Sequence, residues 1–276
     1  MLKKFSILIA NYNNGQFFRA CYESIITQTF TNWEVIIVDD CSTDDSAALI
    51  KDIIQSDSRF KLYENETNKG CGFTKRKCVE YAGGELCGFL DPDDALSPIA
   101  LEKSVAAYES LPGIVATYSQ MTMCDENLVA VKMFSQIKRI YNTPYFFNCP
   151  IQISHFFTFR KETYFKTEGI NPELKSAVDQ DLYLKILEHG NPEFIQENLY
   201  LYRLHAKGIS QFKSKEGARN HFAKVIYAAM KRRGLTMINA MEIPETYTDA
   251  DEIFGLLHYQ TRPLYRLKNK VKLFLK

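Results

Sequence analysis

Two apolar runs in the first hundred residues are each followed at once by a group of aspartates. WEVIIV (Trp33–Val38) precedes Asp39 and Asp40, and LCGFL (Leu86–Leu90) precedes Asp91. An unbroken apolar run of this length predicts a strand that is covered on both faces, as in a parallel sheet. Ligands bind beyond the carboxyl ends of such strands, so the two groups of acids also indicate where a site would lie.

The rest of the first hundred residues alternates strand and helix signals. The predicted strands are Phe5–Ala10, Trp33–Val38, Phe60–Tyr63 and Leu86–Leu90. The predicted helices, which have apolar residues at helical spacing, are Phe17–Gln28, Ser42–Ile54 and Phe73–Ala82. This rhythm predicts an α/β fold with a doubly wound, mostly parallel central sheet and helices on both of its faces.

The pattern after residue 96 is less regular. Further helices are predicted at Ser97–Leu111 and Asp181–His189, and further strands at Ile114–Met121, Ile153–Phe159 and Ile195–Leu204. From about residue 213 onward the pattern is helical, which predicts a C-terminal helical extension. The chain has no repeats and no low-complexity linker.

Composition excludes several classes of protein. The chain has 276 residues, 46% of them hydrophobic, and a formal net charge of +1, which does not favour a nucleic-acid partner. Seven cysteines, an odd number without a Cys-x-x-Cys pair, argue against a disulfide framework or a structural zinc site. They favour a reducing compartment.

The N-terminus begins with two lysines and an apolar stretch, as a secretion signal does. Asn11, Asn13 and Asn14 end that stretch too early, so a first strand is the better interpretation. No apolar run approaches the roughly 20 residues that span a bilayer. We expect a cytoplasmic protein, at most bound peripherally to the inner face of the membrane.

The segment Asp91–Asp94 concentrates three carboxylates, at Asp91, Asp93 and Asp94. Such groups repel one another unless a cation or a proton lies among them. An Asp-x-Asp turn can direct its oxygens at Mn²⁺ or Mg²⁺, which then share their remaining positions with water and phosphate. A plain polar turn started by Pro92 remains the alternative.

Three further segments contain candidate residues. Asn68–Lys75 is glycine-rich but matches neither the dinucleotide fingerprint nor a P-loop, and Lys75 and Arg76 after it suit either a diphosphate or a solvated helix face. Asp179, at a predicted helix start, suits a general base or an acid that complements the helix dipole. Arg203 and His205 stand two apart on a predicted strand and therefore on one face.

In order along the chain, these segments resemble an inverting glycosyltransferase of family 2 with the GT-A fold. The similar segments are SILIANYN, WEVIIVDDCSTDDS, NKGCGFTKRKCVEYAGGELCGFLDPDD, VDQDLYLKILEHG and LYRLHAKGIS. The resemblance covers about residues 4–210. It implies a nucleotide-sugar-binding half at about 4–100, an acceptor half at about 101–210, and an extension at 211–276.

The resemblance also implies roles for individual residues. Tyr12 and Asp40 match positions that contact the nucleoside base, with Asp39 in support, and Asp179 matches the catalytic base. The remaining positions near the diphosphate or the metal are Lys75, Arg76, Asp91, Asp93, Asp94, Arg203 and His205. The sequence departs from the family pattern at Ala10, Cys41, Lys75 and Val178, which affects the donor preference rather than the base or the metal.

The implied function is transfer of a sugar, with inversion, from a nucleoside-diphosphate sugar such as a UDP-sugar to a hydroxyl of a glycan or lipid-linked acceptor. Mn²⁺ or Mg²⁺ would be the cofactor, and cell-surface polysaccharide or lipid-linked glycan synthesis the setting. A non-catalytic nucleotide-sugar or carbohydrate-binding domain is the main alternative. A glycoside hydrolase also uses paired carboxylates but needs neither metal nor nucleotide.

The last stretch, residues 261–276, has six basic residues and no acid. Its apolar residues Leu264, Leu267, Val271, Phe274 and Leu275 are predicted to share one helical face. Such a helix can lie on an anionic membrane, or it can pack on the protein with its lysines outward.

Overall fold

The structure, a computed structural model, describes residues 5–55, 57–206 and 215–274. Nine strands form one sheet in the order β3-β2-β1-β4-β8-β6-β9-β5, with β7 paired to β6. They are β1 (Phe5–Asn11), β2 (Trp33–Asp39), β3 (Phe60–Glu64), β4 (Leu86–Phe89), β5 (Ala95–Leu96), β6 (Ala116–Cys124), β7 (Ala130–Met133), β8 (Thr158–Arg160) and β9 (Pro192–Arg203).

Helices pack around this sheet. The first six are α1 (Phe18–Ile26), α2 (Ser46–Ile54), α3 (Cys71–Tyr81), α4 (Ala100–Ser110), α5 (Lys161–Tyr164) and α6 (Val178–Leu187). The last three are α7 (Lys215–Arg232), α8 (Ala250–Leu257) and α9 (Pro263–Phe274), and a small hairpin of β10 (Met237–Ile238) and β11 (Met241–Glu242) lies between α7 and α8. The predicted α/β fold with a C-terminal helical extension is confirmed. The predicted boundary at residues 210 and 211 lies outside the described residues.

The first half of the sheet is parallel throughout. Strand β1 lies between β2 and β4, and β3 extends the sheet beyond β2. Every residue of β2 is buried, as is nearly every residue of β1, which is why their sequences are continuous apolar runs. Parallel strands end at one edge, so the polar residues after β1, β2 and β4 come together there.

The second half of the sheet is mixed. Strand β8 is antiparallel to β4 and to β6, whereas β9 runs parallel to β6 and antiparallel to the short β5. Because β5 follows the Asp91–Asp94 turn and pairs Ala95 with Leu201, the end of β9 lies beside that turn. This pairing brings Arg203 to acids more than a hundred residues earlier.

Among the predicted elements whose bounds differ from the structure, three bear on the site. The predicted strand at Ile153–Phe159 is wrong for most of its length, because β8 begins only at Thr158 and Ile153 donates its backbone N–H to Asn148 Oδ1 at 2.8 Å. Helix α2 begins four residues later than predicted, because Ser42 hydrogen-bonds to Asp39 instead. Helix α6 begins at Val178, so Asp179 stands in its first turn.

The expected absence of disulfides agrees with the structure, in which each of the seven cysteines is free. Within the described ranges, no helix is both long and apolar enough to cross a membrane.

Candidate active site

The ends of β1 and β2 are joined by a buried hydrogen-bond cluster. Asp39 accepts from Asn11 Nδ2 at 2.6 Å and from the backbone N–H and hydroxyl of Ser42, each at 2.7 Å. Cys41, between Asp40 and Ser42, has a φ of 58°. That left-handed conformation favours glycine.

Asp40 fixes the glycine-rich loop that leads into α3. Its carboxylate, almost fully buried, accepts from Asn65 Nδ2 at 2.8 Å and from the backbone N–H groups of Lys69 and Gly70 at 2.8 and 2.7 Å. A carboxylate has about four acceptor positions, so Asp40, like Asp39, keeps about one for a ligand. Tyr12, just beyond β1, is 44% exposed.

Gly72 allows the start of α3 to lie directly against the segment before α6. Its N–H donates to Leu174 O at 2.9 Å, and a Cβ at this position would stand 2.4 Å from Asn171 O. Only glycine permits this approach. The glycine-rich segment therefore serves to pack α3 against the chain that carries Asp179.

Lys75, one turn into α3, bridges two carboxylates from distant parts of the chain. Its Nζ lies 2.7 Å from Asp179 Oδ1 and 3.3 Å from Asp91 Oδ1. Burial opposes the charge on Lys75, but Asp179 and Asp91 outweigh it and raise the pKa of the ammonium well above its usual range. Burial alone would raise the pKa of Asp179, yet Lys75 and then His155 outweigh it and hold that pKa below its ordinary value.

Asp94 holds the Asp91–Asp94 turn in place through hydrogen bonds with β9. Its oxygens accept from Tyr200 Oη and from the Arg203 backbone N–H, both at 2.7 Å, and its side chain is buried. Burial, followed by the charges of Asp93 and Asp91, raises the pKa of Asp94 well above its ordinary value. Each oxygen of Asp94 already accepts one hydrogen bond within the protein, and its role as a metal ligand stays a prediction.

Asp93 and His205 form a close pair at the other side of the turn. Asp93 Oδ2 lies 2.8 Å from His205 Nε2, while Arg203 Nε donates to the Asp93 carbonyl at 2.6 Å. Burial and the neighbouring Asp91 raise the pKa of Asp93. Arg203 Nη2 and His205 Nδ1 are buried and have no hydrogen-bond partner among the residues the structure describes.

His155 joins this cluster, although sequence reasoning did not single it out. Its ring stacks on Tyr200 with centroids 4.8 Å apart, and its Nε2 lies 4.0 Å from Asp91 Oδ2. A lone histidine in a segment assigned to a strand gave no signal of this placement. Only the fold brings it between Asp91 and Asp179.

Arg76, a predicted nucleotide-sugar-binding residue, is directed away from Asp91 and Asp179. Its guanidinium contacts Glu80 at 3.3 Å and donates to the carbonyls of Glu168 and Ile170, each at 3.2 Å. Successive helical residues point about 100° apart, so Arg76 cannot share the direction of Lys75. Of the two candidate cations, only Lys75 contacts Asp91 and Asp179.

The chemistry of the turn suits a hard divalent cation. No group of three or more His, Cys, Asp or Glu side chains is arranged as a metal site within the described parts of the chain. Mg²⁺, however, usually takes one or two carboxylates and completes its shell with water and substrate phosphates. Asp91 and Asp93 are partly exposed, repel each other and have His205 beside them, so their donor set fits Mn²⁺ or Mg²⁺.

Comparison with known families identifies the family of this chain. The model of the family "Glycosyl transferase family 2" matches residues 6–165, which is more than half of the chain and includes β1 to β8 with the acidic strand ends. The chain therefore belongs to glycosyl transferase family 2, and it is a glycosyltransferase by family.

Two curated relatives are polysaccharide synthases. The chain is 30% identical to chondroitin synthase from Escherichia coli over 234 residues, covering 83% of this chain and 33% of the relative. It is 28% identical to hyaluronan synthase from Pasteurella multocida over 253 residues, covering 90% of this chain and 25% of the relative. The chain thus spans a third or less of the length of these two relatives.

Solved structures share the GT-A fold. TarS 1-349 of S. aureus in complex with UDP-GlcNAc matches with a TM-score of 0.68 and 20% identity, covering 93% of this chain and 71% of that one. The mannosyltransferase PcManGT from Pyrobaculum calidifontis, in complex with GDP-Man and Mn2+, matches with a TM-score of 0.57 and 14% identity, covering 98% and 84%.

Proposed function

We propose that this protein transfers a sugar from a nucleoside-diphosphate sugar, a UDP-sugar by preference, to a glycan hydroxyl with inversion at the anomeric carbon. The observation that carries the proposal is the contact of one buried cation, Lys75, with both Asp179 and Asp91. One carboxylate can act on an acceptor while the other faces the donor. The named relatives, synthases of chondroitin and hyaluronan, support a polysaccharide product.

The nucleoside is proposed to lie at the ends of β1 and β2. Tyr12 offers an exposed ring for stacking on a flat base, and Asp39 and Asp40 each keep about one acceptor position for a base N–H. The diphosphate would then extend toward the Asp91–Asp94 turn. The cationic or donor groups proposed to face the diphosphate are Lys75, His155 and Arg203 Nη2.

Asp179 is proposed as the general base. It stays ionised because Lys75 lowers its pKa, and about a third of its side chain is exposed to the cleft. The acceptor oxygen loses its proton to Asp179 as it bonds to the anomeric carbon, and the bond from that carbon to the diphosphate breaks. The electron pair leaves with the diphosphate, and the configuration inverts because the acceptor oxygen attacks from the opposite face of the anomeric carbon.

A divalent cation is proposed at Asp91 and Asp93, with His205 beside them. When bound, Mn²⁺ or Mg²⁺ supplies positive charge that stabilises the departing diphosphate. Lys75 and Arg203 add to this positive field, and Asp94 positions the turn through Tyr200. The cofactor, like these residue roles, is part of the proposal.

The remaining proposals concern organisation and place. We assign residues 4–210 to the transferase domain, with halves at about 4–100 and 101–210, and residues 211–276 to the extension. We propose a cytoplasmic protein that acts on a glycan or lipid-linked acceptor and makes peripheral contact with the membrane through residues 261–276.

The test is a transfer assay that follows release of the nucleoside diphosphate from a set of nucleotide-sugars with Mn²⁺ and glycan acceptors. Asp179→Asn should lower kcat by about 10²- to 10⁴-fold, because a positioned base contributes this much. It should leave donor binding intact. Asp52→Asn, at an exposed acid of α2, is the matched control. An Asp179→Asn variant that keeps full activity, or binding without turnover by the unaltered protein, contradicts the proposal.

A further inference from the structure

Helix α9 leaves its apolar residues facing solvent. Leu264 is 82% exposed, Leu267 59% and Val271 50%, and the first of these is the most exposed large hydrophobic side chain among the described residues. A helix that packs on its own protein with lysines outward would bury these residues. The structure therefore disagrees with that alternative for the described part of the helix.

The opposite face of α9 is the one that packs on the protein. Tyr265, Asn269 and Leu273 are the half-buried residues of the helix, and they recur every four positions. Tyr265 meets Tyr259 with ring centroids 5.0 Å apart, and Lys272 Nζ lies 5.3 Å from the Tyr141 ring centroid. These contacts fix which side of α9 faces outward.

Basic residues flank the exposed apolar face on both sides. At about 100° per residue, Leu264, Leu267 and Val271 span about 60° of the helix circumference. Lys268 lies about 40° beyond one edge of this sector and Lys270 about 60° beyond the other. Arg262 and Arg266 are also exposed, and residues 261–274 contain no acid. An apolar strip bordered by cations is complementary to the surface of an anionic bilayer, where apolar acyl chains lie beneath negatively charged headgroups.

We propose that α9 docks this protein on the surface of a bilayer rich in anionic phospholipid. This proposal rests on the proposed function only for where the acceptor lies. Leu264, Leu267 and Val271 enter the boundary between headgroups and acyl chains, while Lys268 and Lys270 contact lipid phosphates. The twelve residues of α9 measure about 18 Å, so the helix lies along the surface and does not span it. A transferase held in this way meets acceptors that are confined to the same surface.

The experiment is co-sedimentation of the full chain with vesicles of phosphatidylcholine alone or mixed with phosphatidylglycerol. We expect binding to the mixed vesicles to be about tenfold or more tighter than to the neutral ones, and to weaken as salt is added. Replacing Leu264, Leu267 and Val271 together by Asn should remove the binding. Lys268→Gln with Lys270→Gln should weaken it about tenfold or more while leaving transfer to a soluble acceptor unchanged.

The matched control replaces three exposed apolar residues elsewhere, Val129, Val131 and Met133, which are 61%, 60% and 51% exposed. Their substitution by Asn should leave vesicle binding intact. Equal binding to neutral vesicles, no binding, or full binding by the Leu264, Leu267 and Val271 variant overturns the proposal. The oligomeric state is also measured without vesicles. If the wild-type protein is a dimer and the Leu264, Leu267 and Val271 variant is a monomer, α9 joins two copies of the chain and the proposal is overturned. Sedimentation needs no turnover, so its failure is distinct from failure of the transferase proposal.

Discussion

Lys75 Nζ lies 2.7 Å from Asp179 Oδ1, which ties α3 to the first turn of α6. The same ammonium lies 3.3 Å from Asp91 Oδ1 at the end of β4. A single buried cation therefore influences both the proposed base and the proposed metal-binding turn. Four predictions follow from this cluster and from the packing that forms it.

Replacing Lys75 by Met should shift the pH dependence of transfer. Lys75 holds the pKa of Asp179 below its ordinary value, so its removal raises that pKa. Since the base acts as a carboxylate, the acid limb of kcat/KM should move to higher pH. Lys77→Met, on the exposed side of the same helix, is the control. An unchanged acid limb in the Lys75 variant contradicts the pairing.

Replacing His155 by Phe should preserve packing and lose the polar group. The new ring can keep the stack on Tyr200, but no N–H faces Asp91 and the cleft. We expect kcat/KM to fall by about ten- to a hundredfold, the size of a lost hydrogen bond to the charged diphosphate that His155 is proposed to face. The unfolding midpoint in urea should stay within error, as it should for the exposed control His258→Phe. Wild-type kinetics would show that His155 only fills space.

Gly72→Ala should destabilise the protein by about 1–3 kcal/mol or more, because a Cβ there meets the carbonyls of Asn171 and Leu174. It should also lower activity, since α3 and Lys75 would move away from Asp179. Gly255→Ala, in α8 with nothing within 4 Å, is the control and should stabilise by up to about 1 kcal/mol. Urea unfolding measures both. Equal stability of the two variants would contradict the close packing at Gly72.

UDP and Mn²⁺ should stabilise the protein more together than separately. At a ligand concentration of about 100 times Kd, the free energy of unfolding rises by about 2.7 kcal/mol, which corresponds to a rise in Tm of about 5 °C or more. A chelator should remove the Mn²⁺-dependent part, and Asp93→Asn should abolish it while Asp52→Asn retains it. A UDP shift that is indifferent to Mn²⁺ would exclude Asp91 and Asp93 as ligands of a bridging cation.

The strands of the parallel half could be predicted because burial on both faces leaves a continuous apolar run. The pattern located β1, β2 and β4 within one residue at each end. The acids that follow β2 and β4 therefore had to meet at one edge of the sheet. In the mixed half, strands were also predicted where β6 and β9 lie. Strand β8 left no such signal, because it is only three residues long and its pairing joins distant segments.

The roles of individual site residues were harder to predict. Lys75 and Arg76 are neighbours in sequence, and only the orientation of α3 decides that the first reaches Asp179 and the second reaches carbonyl groups near residue 169. Asp94 resembles its neighbours in the turn, yet contacts with Tyr200 and Arg203 commit it to fixing the chain. His155 depends wholly on tertiary packing. Periodicity specifies the face of an element, and it does not specify which distant side chain that face will meet.

The carboxylate of Asp40 has a consequence for how specificity could change in this chain. Because it binds the backbone of Lys69 and Gly70, the strand end that is proposed to receive the nucleoside also sets the direction of α3. A substitution at Asp40 that altered the proposed nucleoside site would therefore also shift α3 and Lys75. If the nucleoside binds there as proposed, donor choice and catalysis are coupled through one carboxylate, and a change of nucleotide would require compensating changes in the loop at 65–70.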